Sequence, residues 1–547
     1  MKPEAVTIVT KFGSPAALSA AHRVGEFSDE KPATALPSWE GFITRVTRGV
    51  GALSLGAGIN ILAQVTIVPI ALYAWGKFRY GEWVLLTGLV QVLKLTDMGV
   101  QTFVVNKLCT RYNCGDREGL ERILHSALLV QMPLAIGIFF AIAVAMAVFP
   151  FDRILGLHTI AGRSLFVVGL FLSAELLMGV PFGVIAGVYR ATGYLARAAV
   201  ISAIQQVALV AITVLLIVSG SGFSAVAAGR IIAAILVSVW IIYDLRRLHP
   251  WLEIWPALGT WSEGLNLIGP GLFFLLIPLA DYLSNQFTLA VTQKTLNGAE
   301  VSRLSTHRTI ANFGQMVSAL LTTAVWPELT ALDALDRKNP LSRVHQSLAK
   351  LNLWLVGAAC FGMLPFLPLV YSVWTAHELA LDYWTLGFLL ARVLLWGIWN
   401  ASLTVLCAIN RHHKLGFVLL GEGIFTGAMS VFLVPMMGIR GAALSALIAD
   451  ICVSGWIIPI LALRETGGTF PAFAVSSIKA MGAIAIPVLI GVTSWHFILS
   501  SYLRWSIVFP ASVLLVLGLI THELDSSERQ ALLHLYRQVW KKSKPSE

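Results

Sequence analysis

The chain has 547 residues, of which 57% are hydrophobic and only 12% charged. Soluble globular domains average about 25% charged residues, so a water-soluble fold is excluded and a polytopic membrane protein is implied. The formal net charge of +10 does not signal nucleic-acid binding, because the excess Lys and Arg fall in loops on one side of the spans.

Residues 1–44 open the chain. They are polar and mixed in charge, contain Pro3, Pro15, Pro32 and Pro37, and lack the apolar core of a signal peptide. They read as a disordered cytoplasmic tail. A hydrocarbon core needs roughly 20 apolar residues per helix. That rule gives fourteen spans, at 49–74, 82–106, 123–149, 164–188, 198–219, 222–244, 265–293, 304–326, 350–374, 384–409, 415–435, 439–463, 477–499 and 506–521. The two spans flanking Gly220-Ser221 have almost no loop between them and form an antiparallel hairpin. In the seventh span, Gly269-Pro270-Gly271 and then Pro278 interrupt the helix. Proline removes a backbone hydrogen bond, and the interruption is either a gate or a fixed kink.

With the N-terminus inside, the inner loops and tails carry 27 Lys and Arg against 8 in the outer loops. This asymmetry places both termini in the cytoplasm, in a multi-pass protein of the cytoplasmic membrane. The tail at 522–547 carries a capping box at Ser527 and Gln530. Leu532, Leu535, Tyr536, Val539 and Trp540 come next at helical spacing, before Lys541, Lys542 and Lys544. That pattern suits an amphipathic helix on an anionic leaflet; the other reading is a solvated tail. The five cysteines show no disulfide or metal framework. Cys109 and Cys114 share a loop at a spacing that is only a weak metal signal, and no metal or cofactor is expected.

An internal repeat organises the spans. Residues 222–245 and 438–461 agree at 11 of 24 positions at a constant offset of 216, including Gly222/Gly438, Ser238/Ser454 and Trp240/Trp456. The sixth span is thus set against the twelfth. The fold expected is all-α, with an N-lobe at 45–250, a C-lobe at 251–465 and two further helices at 466–521. An even number of helices per half gives both halves one direction, as in parallel repeats about an axis along the membrane normal. This arrangement implies a cavity between the halves and rocking of one against the other.

Ionisable residues in spans cost about 2.5–3.5 kcal/mol each on insertion scales, so each needs a reason. Lys94 and Asp97 lie three residues apart and share a helix face, with Gln91, Thr96, Gln101, Thr102 and Asn106 nearby. This stretch reads as lining a water-accessible path. Glu175, Arg230, Asp281, His307, Arg308, Arg392, Glu422 and Asp450 complete the set. One reading pairs these charges with each other to hold helices in register. Arg230 aligns with Ala446, and Asp450 sits one turn beyond, so those two are candidates to meet across the pseudo-axis. The other reading makes Asp97, Glu175, Asp281 and Asp450 sites for a coupling ion. His307 is either a titrating group or a packing histidine. Lys294 and Arg303 lie near outer helix ends and are expected to snorkel.

Tyr80-Gly81-Glu82-Trp83 leads into Leu95-Thr96-Asp97-Met98-Gly99-Val100-Gln101-Thr102. Later come Ser284-Asn285-Gln286, Arg308-Thr309-Ile310-Ala311-Asn312 and Trp326-Pro327-Glu328-Leu329. These stretches resemble the polysaccharide transporters, or O-antigen flippases, of the multidrug/oligosaccharidyl-lipid/polysaccharide exporter superfamily. The resemblance covers roughly residues 45–521. It implies two six-helix lobes in a V. It implies transfer of a polyprenyl-pyrophosphate-linked glycan from the inner to the outer leaflet, for O-antigen, capsule or exopolysaccharide assembly alongside a polysaccharide polymerase and other assembly proteins. Coupling to a proton or sodium gradient is typical of the superfamily. The pyrophosphate needs cations, and Arg binds phosphate through a bidentate fork, which points to Lys94, Arg230, Arg308 and Arg392. Glycan hydroxyls cannot cross hydrocarbon unpaired; Asn285, Gln286, Asn312, Gln315 and Asn400 are the polar candidates to serve them. The polyprenyl tail can slide in membrane lipid beside an open seam.

Nothing in the chain reads as an enzyme: there is no soluble domain for a nucleotide and no Gly-rich phosphate loop ending in Lys-Ser or Lys-Thr. A multidrug antiporter of the same superfamily would carry twelve helices and fewer lumen cations. A membrane polysaccharide polymerase or ligase would need a large outer loop, and every outer loop here is short. A lipid-linked peptidoglycan-precursor flippase has fourteen helices too, and the second- and eighth-span motifs favour the polysaccharide branch over it. Labelling of introduced cysteines should find 327–349 cytoplasmic and 375–383 external; the reverse pattern would refute the topology.

Overall fold

A computed structural model describes residues 39–97, 100–255, 257–268, 272–334, 338–364, 367–409, 411 and 413–497. Residues 1–38, the tail at 522–547, the fourteenth span and Gly269–Gly271 lie outside them, and 39–44, expected as tail, are helical. The described residues are almost all helical and contain no strand. The chain is an all-α polytopic membrane protein, and its helices gather in one compact unit, Val46–Arg529.

Helix α1 (Trp39–Leu89) is broken at Gly76, whose φ of 73° only glycine adopts freely. A 3₁₀ segment (Val90–Asp97) and α2 (Val100–Asn113) continue the second span. Asp116 caps α3 (Arg117–Val148) by accepting from the Gly119 amide. Short α4 (Phe151–Leu155) ends on left-handed Gly156. Then come α5 (Gly162–Ala191), α6 (Leu195–Val218) and α7 (Phe223–Leu248). α6 and α7 pack against each other around left-handed Gly220, as the near-absence of a loop requires.

The second half comprises α8 (Trp261–Ile268), α9 (Leu272–Tyr282), a π turn (Leu283–Phe287), α10 (Thr288–Thr295) and α11 (Gly298–Ala334). It continues with α12 (Lys338–Met363), α13 (Leu367–Trp374), α14 (Tyr383–Ala408) and α15 (His413–Met437). α16 (Ile439–Ala449), a second π turn (Asp450–Ser454), α17 (Gly455–Thr466) and α18 (Phe470–Phe497) complete it. Seven of the described helices are long and apolar enough to cross a membrane on their own. Three other expected spans are interrupted or polar in their described residues. The second is 3₁₀ around Lys94, the seventh carries Pro278 and a π turn, and the eighth carries Arg303, His307 and Arg308. The repeat is visible in the backbone, since α7 and α16 both start directly after their aligned glycines, Gly222 and Gly438.

The halves share one apolar core and keep the rest separate. The shared core joins Leu72, Trp75, Trp83, Leu165 and Phe223 of the first half to Leu289, Val301, Tyr371 and Ile439 of the second. Trp75 meets Phe223 at a centroid distance of 4.7 Å and Trp83 at 5.6 Å. All of this lies at the end bearing the loops 75–81, 150–163, 294–303 and 375–383. Away from it, the first half has its own core around Leu124, Ile185 and Leu245, and the second has two, around Val356 and Trp399.

Bare backbone makes the junction close. A Cβ on Gly81 would overlap the Gly298 carbonyl, and one on Gly298 would fall 2.5 Å from the Phe78 carbonyl oxygen. Second-half side chains then donate to first-half carbonyls. Ser302 Oγ reaches Lys77 at 2.5 Å, Gln293 Nε2 reaches Gly156 at 2.7 Å, and Lys294 Nζ reaches Arg153 at 2.6 Å. Lys294 thereby ties the junction. Arg303 donates within the second half, to the Ala380 carbonyl at 2.8 Å. Glu82, 1% exposed, accepts from the His158 and Thr159 amides and the Thr159 hydroxyl, and so shapes the 156–160 loop that Gln293 touches.

At the opposite end the segment connecting the halves is fastened to α3. The buried His125 ring donates from Nε2 to the Glu253 carbonyl at 2.7 Å and accepts the Leu258 amide on Nδ1 at 3.2 Å. Ser126 Oγ accepts the Thr260 amide at 3.0 Å, and Glu121 accepts that of Glu253 at 2.8 Å. α8 packs on α2 and α3.

Gly81→Ala and Gly298→Ala should each weaken the junction by about 1–3 kcal/mol, the usual cost of overpacking. Thiol labelling of a Ser302→Cys reporter should speed up accordingly. Unchanged labelling would show that the glycine crossing does not hold the halves together.

Candidate functional site

Charges in the middle of the spans fall into two classes. The first class is neutralised within one half. Arg230 on α7 forms a fork with Glu175 on α5, Nε to Oε2 at 2.9 Å and Nη2 to Oε1 at 2.7 Å. The Glu175 side chain is only 8% exposed. Arg392 on α14 lies 3.3 Å from Asp450 in the second π turn and 3.6 Å from Glu422 on α15. Glu422 in turn accepts the Ser454 hydroxyl. The expected Arg230–Asp450 meeting across the pseudo-axis is therefore corrected: each residue finds its partner inside its own half. The reason is proximity, since α5 packs on α7 and α14 packs on the second π turn.

The two ion-paired groups sit on corresponding spans with their signs exchanged, and the second has one carboxylate more. Glu175 aligns with Ala391, next to Arg392, at the offset of 216. The first half places its acid on the fourth span and its base on the sixth. The second half places its base on the tenth and its acids on the eleventh and twelfth.

The second class lies between the halves. Lys94 is exposed and has no ion pair among the described residues. Asp97, three residues on, accepts the Gln101 amide at 3.1 Å and Gln131 Nε2 at 3.5 Å, so its neighbours are amides and not cations. The 3₁₀ segment carrying both packs against α9, which carries exposed Asp281. Tyr282 donates to the Leu89 carbonyl at 3.2 Å, tying that contact. Asp281 accepts Asn285 Nδ2 at 2.7 Å. Arg308 on α11 donates from Nη1 to the Asn285 carbonyl at 2.8 Å, and makes no ion pair among the described residues. Gln286 packs on the bare backbone of Gly88. Asn312 is exposed and Gln315 half-buried further along α11. Asn400 is buried and donates to Ser318 at 2.9 Å, so it is spent inside the second half.

His307 is fully buried, with Nδ1 on the Arg303 carbonyl at 2.6 Å and Nε2 accepting the Asp382 amide at 2.9 Å. One donor and one acceptor satisfy a neutral ring, so His307 packs the junction end. Sequence reasoning missed its partner, Asp382, in the loop before α14. Asp382 caps α14 and holds Arg440 at 2.9 Å. Burial raises its carboxyl, but Arg440 and the Thr385 and Trp384 amides outweigh this and hold it below the ordinary carboxylate range. All five cysteines are free thiols.

No family model and no curated protein matches the sequence. Solved structures do match. The lipid II flippase MurJ in an inward closed conformation superposes with a TM-score of 0.65 at 13% identity, over 86% of this chain and 97% of that one. An inward-facing multidrug resistance MATE family transporter gives 0.58 at 15% identity, over 81% and 96%. A MOP superfamily transporter from Pyrococcus furiosus, described as having a binding pocket of reverse polarity, gives 0.53 at 16% identity, over 80% and 99%. At these identities the likeness is one of fold. The chain has the fold of the membrane transporters of the MOP superfamily.

Proposed function

We propose that this protein flips a polyprenyl-pyrophosphate-linked oligosaccharide from the inner to the outer leaflet of the cytoplasmic membrane by alternating access, for surface polysaccharide assembly. The observation that carries the reading is the pair Lys94 and Arg308. Each belongs to a different half, and neither is matched by a carboxylate ion pair among the described residues. An anion between the halves would meet both. Arg230 and Arg392, already neutralised, hold helices together. The polar side chains of Gln286, Asn312 and Gln315 offer partners for sugar hydroxyls, which cost several kcal/mol each if left unpaired in hydrocarbon. The loop charges put the junction end outside, so halves closed there would receive substrate from the cytoplasmic leaflet. Asp97 and Asp281 are then the groups for a coupling ion.

A second reading rests on exposed Asp281. An organic cation could pair with it and with Asp97, which would make the chain an ion-coupled small-molecule antiporter.

The test is a reconstituted flipping assay with a fluorescent polyprenyl-pyrophosphate oligosaccharide and a quencher outside the vesicle. Lys94→Ala and Arg308→Ala should each slow flipping at least about tenfold, as expected for losing one charge-assisted contact of about 1.5–3 kcal/mol. Both should keep the parent melting temperature. Arg230→Ala should instead melt early, because it strands buried Glu175 at a cost of about 3–5 kcal/mol. Uptake of a cationic dye with no flipping would establish the antiporter.

A further inference from the structure

The connector between the halves, residues 250–268, spends one face and leaves the other open. Its inner face belongs to the first half: Leu252, Ile254 and Leu267 are buried in the core around Leu124. Two glycines press on α3 itself. A Cβ on Gly259 would fall 2.6 Å from the His125 carbonyl carbon, and one on Gly264 would overlap the Ser126 carbonyl. Together with the Leu258 and Thr260 amides on His125 and Ser126, these contacts fix which way the connector faces.

The outer face is apolar. Trp255 is 78% exposed and Trp261 53%, and Leu258 and Leu265 are exposed with them. Trp261 and Leu265, four residues apart, share one face of α8. Single exposed apolar residues are ordinary, but a group of large ones marks an interaction surface. Tryptophan in particular is enriched where a membrane meets water.

Depth decides the occupant. His125 lies eight residues into α3 from Arg117, which is about 12 Å along the axis at 1.5 Å per residue. The exposed Glu118–Arg122 pair marks the turns on the water side, and exposed Ile136 lies deeper. The connector thus crosses α3 where polar surface gives way to apolar surface. Its charges balance, with Arg246 and Arg247 just before it and Glu253 and Glu263 within it, so attraction to headgroup charge is not what holds it.

We propose that the connector is an in-plane membrane anchor. Trp255, Leu258, Trp261 and Leu265 occupy the boundary between headgroups and acyl chains of the leaflet at that end, and burial of apolar surface supplies the hold. Amphipathic segments of this kind sit about 5–10 Å into that boundary, the level at which the α3 contacts place this one. The loop charges make that leaflet the cytoplasmic one. The anchor fixes the depth of the tether between the halves whatever substrate they carry.

Photolabelling of the full-length protein in nanodiscs, read by mass spectrometry, tests this. The probe is a phosphatidylcholine with a diazirine either next to the glycerol or at the end of the acyl chain. Residues 255–265 should take adducts from the upper diazirine and lose them with the terminal one, which should label Ile136 instead. Labelling of 255–265 from the chain end would place the segment in the hydrocarbon core and overturn the in-plane anchor. Replacing half of the lipid with phosphatidylglycerol should leave the yield unchanged. A rise of about fivefold, the effect of one Lys or Arg near an anionic surface, would show that headgroup charge holds the connector and overturn apolar anchoring. Oxidation of Trp255 and Trp261 by hydroxyl radicals, with no lipid adducts, would put the face in water and overturn the proposal. Neither adducts nor oxidation would show that protein covers it, a second copy or a tail of this chain, and would overturn it equally.

Discussion

Desolvation of charge governs this molecule. Moving a carboxylate or guanidinium out of water costs several kcal/mol even after relaxation, and the spans carry about ten such groups. The chain meets the cost by sorting them. Glu175 with Arg230, and Arg392 with Glu422 and Asp450, are matched inside their halves, where helix packing is dry. Lys94, Asp97, Asp281 and Arg308 make no ion pair among the described residues; amides hold Asp97 and Asp281, and a carbonyl holds Arg308. The groups between the halves are therefore what remains once the other charges have found ion-pair partners.

The membrane class, the hairpin at Gly220 and the repeat were legible in the sequence, because each depends on local length or on matching residues at one offset. The mid-span charges were legible as exceptions to hydropathy. Their partners were not. Arg230 and Glu175 are 55 residues apart, and nothing in either span's composition names the other. Alignment pointed to Asp450 instead, because it compares equivalent helices and not neighbouring ones. The π turns left no readable mark, since Leu283–Phe287 and Asp450–Ser454 have ordinary helix-forming neighbours. Gly81 was noticed as part of a motif, but only the carbonyl of Gly298 explains why a side chain is excluded there.

The exchanged signs of the two ion-paired groups show what a duplicated half can and cannot change. A salt bridge constrains the distance between two helices and is indifferent to which helix carries which sign. Glu175–Arg230 and Arg392–Asp450 thus do the same mechanical work from mirrored charges. The halves still differ in winding. α7 runs unbroken where the twelfth span carries a π turn at Asp450. The second half holds both π turns, and helix α15 lies between them.

The fastening of residues 253–260 to α3 sets the tether between the halves. Once His125 and Ser126 hold that segment, and α8 lies on α2 and α3, the free chain joining the halves is no longer the whole stretch from His249 to Leu272. Loop-closure entropy grows with free length, and effective concentration falls with it. A short tether keeps the second half near its docking surface whenever the junction parts, so reclosure is a local event and not a search.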